Sequence, residues 1–160
     1  MERMKKMKMK RIENVEIAGY KMDFTYEFFG KDGEKYVVLW KETSYDKTSL
    51  EFRIFSEKTN EILPVVSLDV DIMGKCRHIA NIFTDKYEGL GFGTALMITF
   101  FDVVITKEPN HDVIVGTFCP KYDEENTRLF YKSFNELKIN DKIIIFKGIQ
   151  YGELQYIIKR

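Results

Sequence analysis

The stretch "KYEGLGFGTAL" (residues 86–96) sets three glycines, Gly89, Gly91 and Gly93, directly ahead of an apolar run. Glycine has no Cβ, so closely spaced glycines let a backbone come near another group. A helix starting here leaves its first N–H groups unsatisfied and carries partial positive charge, which suits a phosphate. A tight strand-to-helix turn explains the same glycines without a ligand. Upstream, Ser67, Asp69 and Asp71 in "VVSLDVDIM" share one strand face, opposite Val66, Leu68, Val70 and Ile72. Such a face can draw a proton or meet a cationic substrate, and it equally suits plain solvation. His78 opens the next strand, and histidine is the side chain best matched to proton transfer near neutrality. Asp71 and His78 are therefore the candidates for a general base, although a water-mediated route needs neither.

Two nucleotide motifs are weakened by the residues themselves. A P-loop needs Lys and then Ser or Thr after its last glycine, and Thr94 and Ala95 stand there. The dinucleotide fingerprint needs a third glycine three residues after the second, where Thr94 stands. That fingerprint also prefers the first strand of a βαβ unit, whereas several antiparallel-looking strands come first here. The segment Glu88-Gly89-Leu90-Gly91-Phe92-Gly93 instead resembles the acyl-CoA loop of GNAT-type N-acetyltransferases, Gln/Arg-x-x-Gly-x-Gly/Ala. "HIANIFT" (residues 78–84) resembles the family strand beside the pantetheine arm, and "NTRLFYKSFNEL" resembles the helix carrying the family tyrosine, here Tyr131. The resemblance covers residues 62–160 well and residues 1–61 poorly, where the family places helices and this chain reads as hairpins.

The resemblance implies acetyl-CoA as acyl donor and a primary amine, on a small molecule or a peptide, as acceptor. It implies cofactor contacts from Ile82, Phe83 and Thr84, from Glu88, Gly89, Leu90, Gly91, Phe92, Gly93 and Thr94, and from Asn126. The implied oxyanion donor is the backbone N–H of Phe83 or a neighbour. Tyr131 is the implied proton donor to the leaving thiolate; read from its residues alone, "LFY" also suits core with a hydroxyl at the rim. Three positions depart from the family pattern. Glu88 puts a negative charge where Gln or Arg is usual. Asn135 replaces a glycine and tolerates the same left-handed backbone. The common asparagine falls on Glu124, with Asn126 two residues out of register. A module that binds acyl-CoA with little or no turnover is the alternative. Cys119, at a strand end, raises a covalent route, but no base is placed beside it and buried cysteines usually only pack.

These residues need elements to hold them. Tyr20, Met22, Phe24, Tyr26 and Phe28 alternate as in a half-buried strand, "GKDG" offers a turn, and "EKYVVLWKE" completes a hairpin. "SLEFRIFS" and "LPVVSLDVDIM" form a second pair. "GTALMITFFDVVIT" carries Leu96, Met97, Phe100, Phe101 and Val104 at helical spacing, predicting one wide apolar face. "HDVIVGTFC" predicts a central strand, "YDEENTRLFYKSFNEL" a second helix, and "KIIIF" and "ELQYIIK" two closing strands split by "KGIQYG". The expected fold is α/β (mixed α+β): a single mixed, mostly antiparallel sheet flanked by helices, GNAT-like by resemblance, with a strand-rich N-terminal half.

Composition bounds the rest. The 160 residues are 44% apolar and 31% charged, which suits one domain over residues 1–160. Basic and acidic residues balance at 25 each, so a general grip on nucleic acid is not expected. No metal site is expected either, because Cys76 and Cys119 make no ligand pattern and His111 and Asp112 point to opposite strand faces. No apolar stretch is long enough to cross a bilayer and no signal peptide is seen, so a cytoplasmic setting is expected. Residues 1–11, with six basic side chains, read as a flexible arm. Homodimer formation through an exposed sheet edge is a further expectation.

Overall fold

The computed structural model describes residues 8–43, 49–74, 76–84, 89–107, 113–116, 143–150 and 153–159. Within them lie β1 (Met9–Ile17), β2 (Tyr20–Phe29), β3 (Lys35–Glu42), β4 (Ser49–Ser56), β5 (Glu61–Ile62), β6 (Ser67–Met73), β7 (Cys76–Phe83), α1 (Phe92–Lys107), β8 (Val113–Gly116), β9 (Ile143–Gln150) and β10 (Glu153–Lys159). The strands form one sheet in the order β1-β2-β3-β4-β6-β7-β8-β10-β9, with short β5 beside β4. Every pair is antiparallel except β7 and β8. The fold is thus α/β, with a mostly antiparallel mixed sheet and a strand-rich first half, as the residue pattern predicts. The second expected helix lies outside the described residues.

The alternation that predicts β2 is real: Met22, Phe24, Tyr26 and Phe28 are buried, while Lys21 and Asp23 are exposed. Gly33, at φ +80°, closes the turn into β3 by donating its N–H to the Gly30 carbonyl at 2.9 Å. β4 and β6 pair through Leu50↔Val70 and Phe52↔Leu68, which puts these four apolar residues on one face. Two boundaries differ from expectation. β1 takes in Met9, Lys10 and Arg11, which the charge run assigned to a flexible arm. β9 runs on to Gln150, so most of "KGIQYG" is strand.

α1 is buried more completely than one apolar face requires. Phe92 and every residue from Thr94 to Ile105 are buried, and β2, β3, β4 and β6 pack against the helix. Two aromatic chains join helix to sheet. Trp40 stacks on Phe52 at 6.5 Å, and Phe52 meets Phe100 edge-on at 5.9 Å. Nearer the helix start, Phe92 sits edge-on to Tyr36 at 4.7 Å and to Phe28 at 6.0 Å. A polar tie holds the middle of the helix: Asp102 accepts from Arg11 Nε at 3.1 Å, from the Tyr26 hydroxyl, and from Thr106 Oγ1 at 2.9 Å. At the far end Lys107 pairs with Asp23 at 2.7 Å. These contacts fix α1 in register, and with it the loop that leads into its first turn.

Candidate functional site

The glycines do two different things. Gly89 and Gly91 hold φ of +79° and +91°, the left-handed region that side chains with a Cβ rarely adopt. Gly93 lies inside α1. The first helical bond runs from the Ala95 N–H to the Gly91 carbonyl at 3.0 Å, which makes Gly91 the cap residue. A glycine cap brings no side-chain oxygen, and the first turn holds no acidic residue. The amides of Gly93 and Thr94 therefore have no intrahelical acceptor and no carboxylate beside them from that turn. This arrangement fits an anion better than a self-satisfied helix start would.

Not every expected contact faces the same way. The Phe92 ring is fully buried among Phe28 and Tyr36, so only its backbone belongs to the loop surface. Thr94 is buried too. Leu90 is half-buried against the core, and its carbonyl accepts the Lys31 N–H at 3.4 Å, tying the β2–β3 turn to the loop. Ile82 and Thr84 are half-buried, whereas Phe83 is 45% exposed at the end of β7. Ile82, Phe83 and Thr84 thus line the strand that leads toward the loop.

The parallel pairing supplies a feature that the residue pattern does not announce. β8 pairs with β7 only through Cys76↔Ile114, Arg77↔Val115 and His78↔Gly116. β7 runs on to Phe83, still paired with β6 through Ser67↔Phe83. Among the described residues, Ile79–Phe83 has no ladder partner on its β8 side, and its backbone N–H and C=O groups there are open to pairing. The β6–β7 register also shifts, from Asp69↔Asn81 to Val70↔Ile79, which leaves Ala80 as the extra residue of a bulge. Among the described residues, this unpaired edge and its bulge come just before the glycine-capped helix start in the chain. The neutral "IANIF" carries no sequence signal for either feature.

Asp71 and His78 are brought together. They stand directly opposite on β6 and β7, with Ser49 opposite Asp71 on β4. Opposed side chains on one face have Cβ atoms about 4.5–5.5 Å apart. This row lies on the sheet face away from α1, at the last β7–β8 rung among the described residues. His78 is six residues from Thr84, or about 20 Å along an extended strand. Asp69 is engaged elsewhere: Arg53 Nη1 donates to it at 3.2 Å, and Arg53 Nη2 meets Glu51 at 3.0 Å. The face that reads as acidic in "SLDVD" is therefore partly neutralised by a strand 16 residues upstream.

Tyr131, Asn126, Glu88 and Cys119 lie outside the described residues. Among the described residues no group of three or more His, Cys, Asp or Glu side chains is placed to hold a metal ion. No described helix is long and apolar enough to cross a membrane.

No protein-family model matches the chain, and no curated protein matches it by sequence. Among solved structures, one similar to it is the ribosomal-protein-S5-alanine acetyltransferase from Vibrio fischeri, matched with probability 1.00. The two share 10% identity and a TM-score of 0.42. The match covers 71% of this chain and 62% of that one, so this chain spans less than two thirds of the length of the enzyme it matches.

Proposed function

We propose that this protein transfers an acetyl group from acetyl-CoA to a primary amine by direct attack on the thioester. One observation carries the reading: among the described residues Ile79–Phe83 has no ladder partner on its β8 side, and the helix that follows in the chain has a glycine cap and a first turn without acidic residues. That shape suits a ligand with an extended polar arm and a diphosphate. The amides of the first turn would meet the diphosphate, and the free edge of β7 would meet the amide groups of the arm.

Acetyl-CoA supplies the acetyl group already activated as a thioester. The chain's own part is positional and electrostatic. Holding the arm along β7 sets the thioester beside the acceptor and makes the attack effectively unimolecular. A backbone N–H near Phe83 meets the carbonyl oxygen as it gains negative charge. Tyr131 gives its proton to the departing sulfur. Asp71 and His78, opposed on β6 and β7, lie about 16 Å along the strand from Phe83, so the proton of the incoming amine leaves through a chain of waters and not directly to either side chain. The pairing of Asp69 with Arg53 removes Asp69 from the role of amine contact.

The test is amine-dependent release of free thiol from acetyl-CoA over a panel of primary amines, for wild type and Tyr131→Phe. Wild type should turn over, and the variant should lose about 100-fold in kcat while keeping its affinity for CoA. Tight CoA binding without thiol release for any amine would support a binding module in place of an enzyme.

A further inference from the structure

The loop poses an electrostatic problem. A diphosphate brings about two negative charges, whereas a helix start offers only about half a positive charge. Glu88 adds a further negative charge to the same loop. Lys86, two residues before Glu88 in sequence, offsets that charge but not the diphosphate's, so a further cation from another part of the chain would complete the balance.

The β2–β3 turn brings one. Lys31 donates its N–H to the Leu90 carbonyl, one residue before the cap glycine. The turn is held there from two sides. Tyr36 and Phe28, flanking it, pack their rings on Phe92 at the helix start. Within the turn the Tyr36 hydroxyl bonds Asp32, and Asp32 also accepts the Glu34 N–H at 3.0 Å. A Cβ on Gly30 would approach Asp32 and Tyr36 to 2.7 and 2.9 Å, so the turn is closely packed. Neighbouring cations are engaged: Lys35 with Glu27 and Glu57, and Lys58 with Glu34. Among the described residues Lys31 forms no ion pair, and its side chain is exposed.

We infer that Lys31 is a phosphate-contacting residue of the acyl-donor site, carried to the glycine loop by the β2–β3 turn. The inference rests on the proposed CoA reading. It assigns to the strand-rich first half a part in donor binding that the loop motif alone does not contain. A lysine on a flexible stem acts as a point charge, which suits a phosphate without demanding fixed geometry.

Calorimetric titration with CoA, and with phosphate-free pantetheine as control, tests it on wild type, Lys31→Ala, Lys31→Glu and Lys21→Ala. Lys21 lies exposed at the end of β2 far from the turn, opposite Glu16. Lys31→Ala should weaken CoA binding about five-fold and Lys31→Glu more, with the gap to wild type closing at high salt. Lys21→Ala should bind as wild type, and thermal melts should be alike for all four. If wild type binds CoA and both Lys31 variants match it, the inference fails while the CoA reading stands. If wild type does not bind CoA, the reading fails and the inference with it.

Discussion

Asp102 is the buried acid on which the placement of α1 depends, and its removal has a calculable cost. It is 7% exposed in the middle of an otherwise apolar helix. Asp102→Ala strands the buried Tyr26 hydroxyl, a loss of about 1–3 kcal/mol for an unsatisfied group. The ion pair with Arg11 adds less, because the Arg11 side chain is 37% exposed and partly screened; about 0.5–1 kcal/mol is reasonable. Thr106 is exposed and finds water, so it adds little. The sum is about 2–4 kcal/mol, or a fall in Tm of about 5–15 °C for a chain of this size. Asp102→Asn keeps one oxygen for Tyr26 and should lose only about 1 kcal/mol. Urea unfolding followed by far-UV circular dichroism measures both. An Asp102→Ala variant within about 0.5 kcal/mol of wild type would refute the reasoning, because the carboxylate would then not be what satisfies Tyr26.

Two further outcomes follow from other parts of the molecule. Gly89→Ala meets no atom within 4 Å, so its cost is the backbone alone, about 1–2 kcal/mol at φ +79°. Because that cost falls on the loop conformation, CoA affinity should drop about ten-fold, by titration, with little change in Tm. Alkaline pH should weaken the fold: burial, and then the bond to Glu51, push the Tyr20 hydroxyl up to about 12, and burial and Asp102 raise Tyr26 as well. Both groups hold their protons more firmly folded than unfolded, so their stabilisation is complete below pH about 10 and declines as pH rises through 12. Urea midpoints between pH 8 and 11.5, with tyrosinate absorbance at 295 nm, check the window; Tyr26→Phe should flatten the decline.

Local pattern announces the strands well where one face is buried. Met22, Phe24, Tyr26 and Phe28 alternate strictly because β2 presents them to the core. Asp71 and His78 were legible only as separate candidate bases; that they oppose each other comes from the β6–β7 register. β1 was hidden because Asn14, at φ 52°, breaks its alternation, and because Arg11 looked like one more charge in a basic run. Its partner Asp102 is 91 residues away. The same distance problem hid Arg53 from Asp69 and Lys31 from the loop. The glycines of the loop were plain in the sequence. The β7–β8 register, which among the described residues reaches only His78, was not, since register belongs to the sheet and not to any one segment.

The central claim is that the glycine-capped start of α1 and the open edge of β7 bind acetyl-CoA. Titration of the purified protein with acetyl-CoA, beside dephospho-CoA and NAD, tests it most directly. Micromolar binding of acetyl-CoA, with no binding of NAD, is the predicted result. Absence of acetyl-CoA binding at millimolar concentration would contradict the claim and leave the glycines as a turn that packs Phe92 into the core.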